Sequence, residues 1–359
     1  MSSKIHRSAD RMDKVRLGII GLGSIGKRHA KIASAMNECE LVSVCDAEKK
    51  AEKAAETLGV KFYTDYQEMI EKEVLDGVII SVPSNLHVPV GITCAKRGLP
   101  ILVEKPLATN LAEADRLIEA VKQNRVRLLV GHHKRFHPSV EFTRNMIKGG
   151  QIGRLVGVTM ICAWLRPMEY FQISWRKNKG GGPILINLIH DIDNLRYMCG
   201  EVIRVYAEIS NEVRKFPVED SACVSLRLEN GGLANIFISD CVPSMWSYEA
   251  TAGETPAIVQ SSETCYYFFG TEASLTFPYL KKVFYPDPSK MGWYYPISSE
   301  DLEIPWSDPH ETQLKHFCKV ITGEENPRTT GEDARRTLEV TLAVLQSGET
   351  GQPIHFKGR

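Results

Sequence analysis

The stretch VRLGIIGLGSIGKRHAKIASAMNECELVSVCD, residues 15–46, decides the fold. An apolar run, VRLGII, enters a glycine turn. SIGKRHAKIASAMN then spaces its apolar residues as a helix does, and ELVSVCD returns to a strand pattern. Strand, glycine turn, helix and strand in succession make the opening βαβ unit of a dinucleotide-binding sheet. Gly21, Gly23 and Gly26 form the G-x-G-x-x-G spacing. Without Cβ atoms, this turn admits a pyrophosphate to the backbone N–H groups of Ser24, Ile25 and Gly26 at the helix start. Asp46 closes the second strand, 20 residues after Gly26. A carboxylate there accepts hydrogen bonds from the adenosine ribose hydroxyls and repels a 2′-phosphate. No arginine follows in CDAEKK, so the expected cofactor is NAD and not NADP.

The same grammar continues outward from this unit. KFYTD, LDGVIISVP, PILVEKP and VRLLVGHH read as strands, separated by helical stretches such as HVPVGITCAKRG and NLAEADRLIEAVKQNR. Continuous apolar strands alternating with helices predict a parallel sheet covered on both faces. After about residue 134 the pattern changes. Longer alternating strands (RLVGVTMICAWL, VIRVYAEISNEV, DSACVSLRLENGGLANIFISDC, EASLTF) surround few helices, with NGG as a hairpin turn. The expected class is therefore α/β followed by α+β. Residues 1–14 are read as a flexible tail, 15–134 as the Rossmann domain, 135–308 as an α+β substrate and oligomerisation domain, and 309–359 as C-terminal helices packing back on the core.

Composition narrows the function. Lys+Arg and Asp+Glu are both 44, so no net field favours nucleic acid or an anionic membrane. The nine cysteines show no CxxC spacing, and Cys39, Cys45, Cys94, Cys162 and Cys223 read as reduced core thiols. The opening MSSKIHRSADRMD lacks the apolar region of a secretory signal, and no apolar run is long enough to span a bilayer. The expectation is a cytoplasmic protein.

The ordered motifs GLGSIG, CD, SVPSNLH, EKP, GHHKRFHP and a glycine-led helix with a histidine resemble the Gfo/Idh/MocA oxidoreductases, relatives of glucose–fructose oxidoreductase and inositol dehydrogenase. The resemblance runs motif by motif through residues 15–200 and by architecture beyond. It implies a Rossmann domain followed by a domain whose large, open, mainly antiparallel sheet supports substrate binding and assembly into a homodimer or homotetramer. It also implies hydride transfer between a nicotinamide and a hydroxyl-bearing carbon of a sugar, cyclitol or sugar acid. Ser81, Pro83, Asn85 and His87 would line the cofactor cleft, with Glu104 and Lys105 beside the nicotinamide ribose.

Oxidising a secondary alcohol requires an acceptor for the hydroxyl proton while hydride leaves carbon. His190 suits the proton, since imidazole titrates nearest neutrality. Lys105 matches the family's active-site lysine and stabilises developing alkoxide charge. Which of the two is the base stays open at this stage. At helical spacing Ile186, His190, Asp193 and Tyr197 share a face. Relatives often carry an aspartate four residues before the histidine. Ile186 stands there, leaving Asn187 as the nearest polar substitute, while Asp193 matches a polyol contact and Asp191 faces another surface. Lys134, Arg135, Arg166, Trp175 and Arg176 complete the expected substrate contacts, with aromatic faces for sugar C–H surfaces and arginines for oxygens. His132, His133 and His137 lack the companion ligands of a metal centre, so no metal is expected.

Two other activities share this pattern: cleavage of a glycosidic bond through transient oxidation by retained NAD, and non-catalytic dinucleotide binding by a regulator. Retention of Lys105 and His190 argues against the second.

Overall fold

The computed structural model describes residues 14–254 and 258–356. The tail expected at 1–14 lies outside them except for Lys14. The chain forms two compact units, one from residues 1–131 with 313–331, the other from 132–312 with 332–359. The second unit thus begins at His132, inside the motif GHHKRFHP. The terminal segment 309–359 contributes to both units. Leu314, Phe317, Cys318 and Val320 of the helix Pro309–Thr322 join the core of the first unit, whereas Val340 and Val344 of the helix Gly331–Thr350 join the core of the second.

In the first unit, strands β1 (Val15–Ile20), β2 (Cys39–Cys45), β3 (Lys61–Tyr63), β4 (Gly77–Ile80), β5 (Ile101–Glu104) and β6 (Leu128–Gly131) form a parallel sheet in the order β3-β2-β1-β4-β5-β6. Strands β4, β5 and β6 are buried along their whole length, as two-sided coverage demands. The order reverses between β1 and β4. Gly21, Asp46, Ser81 and Lys105 each follow directly on the carboxyl end of a strand. That edge, at the reversal, is where open α/β sheets bind ligands.

In the second unit, β7 (Leu155–Ala163), β8 (Val202–Ser210), β9 (Ser221–Leu228), β10 (Leu233–Ser239), β11 (Tyr266–Gly270), β12 (Ala273–Phe277), β13 (Leu280–Phe284), β14 (Ser298–Leu302) and β15 (Ile354–His355) form one open sheet. Its order is β14-β13-β12-β11-β7-β10-β9-β8-β15. All described pairings are antiparallel except β7 with β10. NGG makes the expected hairpin between β9 and β10, with Gly231 at φ 87° and Leu228 N donating to Gly232 O at 2.9 Å. The inward face packs Val158, Met160, Ala222, Val224, Leu226, Ala234 and Ile236 with the helix Ile189–Cys199. Alternation places Cys223 on the outward face, where it is exposed. The core position read for this thiol was wrong because strand parity, not the local apolar run, sets the face.

Candidate active site

The first unit supplies a dinucleotide cradle. Gly21 has φ 97°, a left-handed conformation natural to glycine; its N–H donates to Cys45 O at 2.7 Å. A Cβ on Gly26 would stand 2.0 Å from Gly21 O, so this glycine allows the helix Ser24–Ala35 to start hard against the turn. Gly23 differs: a Cβ there meets nothing within 4 Å, and no side chain caps the helix that it precedes. Gly23 and Ser24 are exposed at this helix start, whose first-turn N–H groups have no intrahelical acceptor, as a pyrophosphate site requires. Asp46 Oδ2 accepts from Leu22 N at 2.7 Å and Oδ1 from Glu48 N at 2.9 Å, which fixes the carboxylate at the end of β2. These residues fit NAD.

Other expected cofactor residues act as braces. Ser81 Oγ donates to Gly21 O at 2.9 Å and holds the glycine turn from behind. His87 is 1% exposed, and its ring nitrogens lie 2.8 Å from Pro106 O and 2.9 Å from Val82 O, tying the two flanking loops together. Burial lowers its pKa below the usual histidine value, although both carbonyls oppose that shift. Pro83 and Asn85 stand in the loop between β4 and the helix His87–Lys96, and Asn85 borders a surface recess with Ser84, Val88 and Glu113. Glu104 is buried, with Oε1 2.8 Å from His29 Nε2. This partner was missed because nothing in a helical histidine's local context announces a strand carboxylate 75 positions away. Lys105, half-buried, follows through a cis peptide to Pro106.

In the second unit the glycine-led stretch departs from the expected regular helix. Ile184–Leu188 is a π turn, and the α-helix runs only from Ile189 to Cys199. The wider turn breaks the 100° spacing that put Ile186 on the face of His190 and Asp193. The glycines here make room for protein groups. A Cβ on Gly181 would meet Trp175 O at 2.4 Å, and one on Gly182 would meet Glu219 Oε1 at 2.1 Å. That carboxylate accepts from Ile184 N at 3.1 Å and so caps the segment leading to His190.

Burial pushes the Glu219 carboxyl up to about 7, with Asp240 and Asp220 adding repulsion. Its folded-state pKa exceeds its ordinary 4.5, so the folded protein binds this proton more tightly than the unfolded chain does. Stability is therefore lost as pH rises from about 4.5 through about 7. Glu219→Gln is expected to melt above wild type at pH 8 and to converge with it near pH 4.5. A pH-independent difference in thermal denaturation would contradict this.

His190 is 6% exposed, its ring edge-on to His133 at 5.2 Å and to His132 at 6.2 Å between centroids. Asp191 packs elsewhere, as expected from its angle, accepting from Tyr266 OH and from Cys162 Sγ at 3.2 Å. Burial raises its pKa, against the pull of Lys134. Asp193 is fully buried on Arg135, with 2.6 and 2.7 Å bonds, and accepts from Thr337 Oγ1 at 2.8 Å. Arg135 also meets Asp333, which bonds Arg196. Lys134 is 2% exposed, 3.1 Å from Glu249 Oε1 and 3.8 Å from the Tyr248 ring centre. Burial alone would lower its pKa, but Glu249, Asp191 and Glu254 raise it.

A cavity of about 970 Å³ opens in this unit, lined by Trp164, Arg166, Tyr170, Asn187 and Glu249 among others. Arg166 donates to Asn187 Oδ1, stacks over Tyr170 at 4.3 Å and pairs with Asp240 at 3.4 Å. Of the expected substrate contacts, Arg166 and Asn187 meet at this wall, and Lys134 reaches it through Glu249. Arg135 and Asp193 do not line it. Neither do Arg176, which braces Tyr170 O at 3.0 Å, and Trp175, 54% exposed. Glu249 and the segment 243–250 were missed, since they join the site only through the sheet.

Residues 15–132 match the model of an oxidoreductase family with an NAD-binding Rossmann fold, and residues 140–276 match the GFO/IDH/MocA C-terminal domain. The chain belongs to the GFO/IDH/MocA oxidoreductase family. It is 29% identical over 355 residues to myo-inositol 2-dehydrogenase of Thermotoga maritima, covering 96% of this chain and 99% of that one. It is 28% identical over 354 residues to scyllo-inositol 2-dehydrogenase (NAD(+)) of Bacillus subtilis, covering 96% of each. A solved structure of a probable dehydrogenase from Thermotoga maritima superposes with a TM-score of 0.73 at 26% identity, over 95% of this chain and 99% of that one. The WlbA dehydrogenase of Bordetella pertussis, at 23% identity and TM-score 0.76 over 96% and 100% of the chains, shares the fold. This chain is accordingly an NAD-binding oxidoreductase.

Proposed function

We propose that the chain oxidises a secondary hydroxyl of a neutral sugar or cyclitol, or reduces the corresponding ketone. The observation that carries this reading is the cavity wall, where hydrogen-bonding groups stand among aromatic faces. Its lining cation, Arg166, is paired with Asp240, while its carboxylates are Glu249, paired with Lys134, and the exposed Glu263, a lining that favours hydroxyls over an anionic substituent. The family membership and the two inositol dehydrogenase relatives support the same class.

Gly21, Gly23, Ser24, Ile25, Gly26 and Asp46 would hold NAD. Bound NAD supplies the carbon that accepts hydride. His190 takes the alcohol proton, and Lys105 stabilises the alkoxide that develops as the proton leaves. The experiment is a panel of cyclitols, aldoses and sugar acids with NAD, read by NADH absorbance. Turnover confined to sugar acids would refute the neutral-substrate reading, and glycoside cleavage without NADH would refute net oxidation.

Assembly as a homodimer or homotetramer through the second unit's sheet belongs to the same proposal. Its outward face exposes Val156, Leu233, Phe237 and Phe269. Light scattering is expected to give a dimer or tetramer, and Phe269→Lys a smaller species; a wild-type monomer would end this part of the reading. Among the described residues no helix is long and apolar enough to cross a membrane. The nine free thiols favour the cytoplasm as the site of the reaction.

A further inference from the structure

An imidazole that shuttles a proton needs a fixed tautomer and a counter-charge for its protonated form. Both groups that the sequence offered beside His190 are disqualified. Ile186 is apolar, and Asn187 Oδ1 is taken by Arg166. The rings of His132 and His133 stand edge-on to His190. His132 leads to Asp193 at 3.6 Å, but that carboxylate is already spent on Arg135. His133 leads elsewhere. Its Nε2 lies 2.9 Å from Glu254 Oε1, while Glu254 Oε2 accepts from Tyr248 OH at 3.1 Å. The His133 ring also stacks on His310 at 4.0 Å between centroids, and the His310 ring lies 3.7 Å from Asp308 Oδ1.

We propose that Glu254 and His133 form a positioning pair for His190, in place of the carboxylate that Ile186 displaces. Glu254 accepts the His133 Nε2–H, which fixes the His133 tautomer and locks the ring that abuts His190. The Glu254 charge behind that ring favours His190 when it carries the proton. Burial would raise the Glu254 carboxyl, but His133, Lys134 and His310 hold it down at about 2, so the charge persists across the working pH range. The titratable groups around this contact in the second unit include His132, His133, His137, His310, Lys134, Asp193, Tyr248, Glu254 and Asp308.

The proposal rests on His190 as the proton carrier, so the test includes His190→Ala. Glu254→Gln keeps an acceptor for His133 and removes only the charge. It is expected to lower kcat for alcohol oxidation about tenfold and to move the acid limb of the kcat–pH profile down by roughly half a unit to one unit. The KM for NAD should stay within about twofold of wild type, since only uniform binding would change it alone. His133→Phe keeps a ring against His190 but cuts the link, and should lower kcat with the same sparing of NAD. Nitrogen-detected NMR of the wild-type protein should find His133 protonated at Nε2. Wild-type kcat and pH limb in both variants, or a His133 proton on Nδ1, overturns the proposal. If His190→Ala itself leaves oxidation intact, the proton-carrier reading fails instead.

Discussion

His190→Ala is expected to lower kcat for polyol oxidation by about 10²–10⁴-fold, the usual contribution of a positioned acid–base group. NAD affinity should be unchanged, because the cradle around Gly21, Gly23 and Asp46 belongs to the other unit. The residue is only 6% exposed and lies edge-on to two histidine rings, so water replaces it poorly after truncation. Lys105→Ala should produce a loss of similar order, through alkoxide charge left without its cation. Pre-steady-state NADH formation separates chemistry from binding. A His190→Ala enzyme with wild-type single-turnover rates on any good substrate would refute the assignment. Retained chemistry in both variants would remove the whole catalytic reading and leave the dinucleotide-binding one.

Asp193→Ala is expected to cost stability more than catalysis. Removing one partner of a buried ion pair costs about 3–5 kcal/mol, because the remaining charge is left without compensation. Arg135 keeps Asp333, which places the expected loss near the lower end, a fall in Tm on the order of 10 °C for a unit of this size. Burial opposes ionisation of Asp193, yet Arg135 and His132 hold its pKa below the ordinary 3.8. The stabilisation is thus present above 3.8 and fades as pH falls through the lower folded-state value, so variant and wild type should converge in acid. Calorimetry checks the Tm difference. An unchanged Tm with a raised polyol KM would restore Asp193 to the substrate contacts expected from its sequence position.

These two residues show how unevenly the site was legible. Both lie on the same helical run, and both matched positions of a recognisable motif. The structure puts His190 against a histidine cluster and Asp193 on a buried guanidinium, a distinction that spacing along a helix cannot make. The π turn at Ile184–Leu188 adds to this, since it rotates Ile186 and Asn187 away from the register a uniform helix assigns. Glu104 and His87 illustrate a related displacement. Their motifs were visible, but their side chains brace loops through His29, Val82 and Pro106.

What the sequence determined by itself was local. The β1–turn–helix–β2 unit follows from hydrophobic period and glycine placement, because steric freedom and amphipathic spacing act over a few residues. The Asp46 position followed in the same way, and the antiparallel character of the second sheet came from its period-two strands. Tertiary structure alone decided the partners of charged groups. Arg135 met Asp193 and Asp333, Lys134 met Glu249, and His133 met Glu254 across separations of 58 to 198 positions. A buried charge must find its counter-charge wherever the fold brings one, since desolvation penalises every alternative, and that search is settled by packing and not by spacing along the chain.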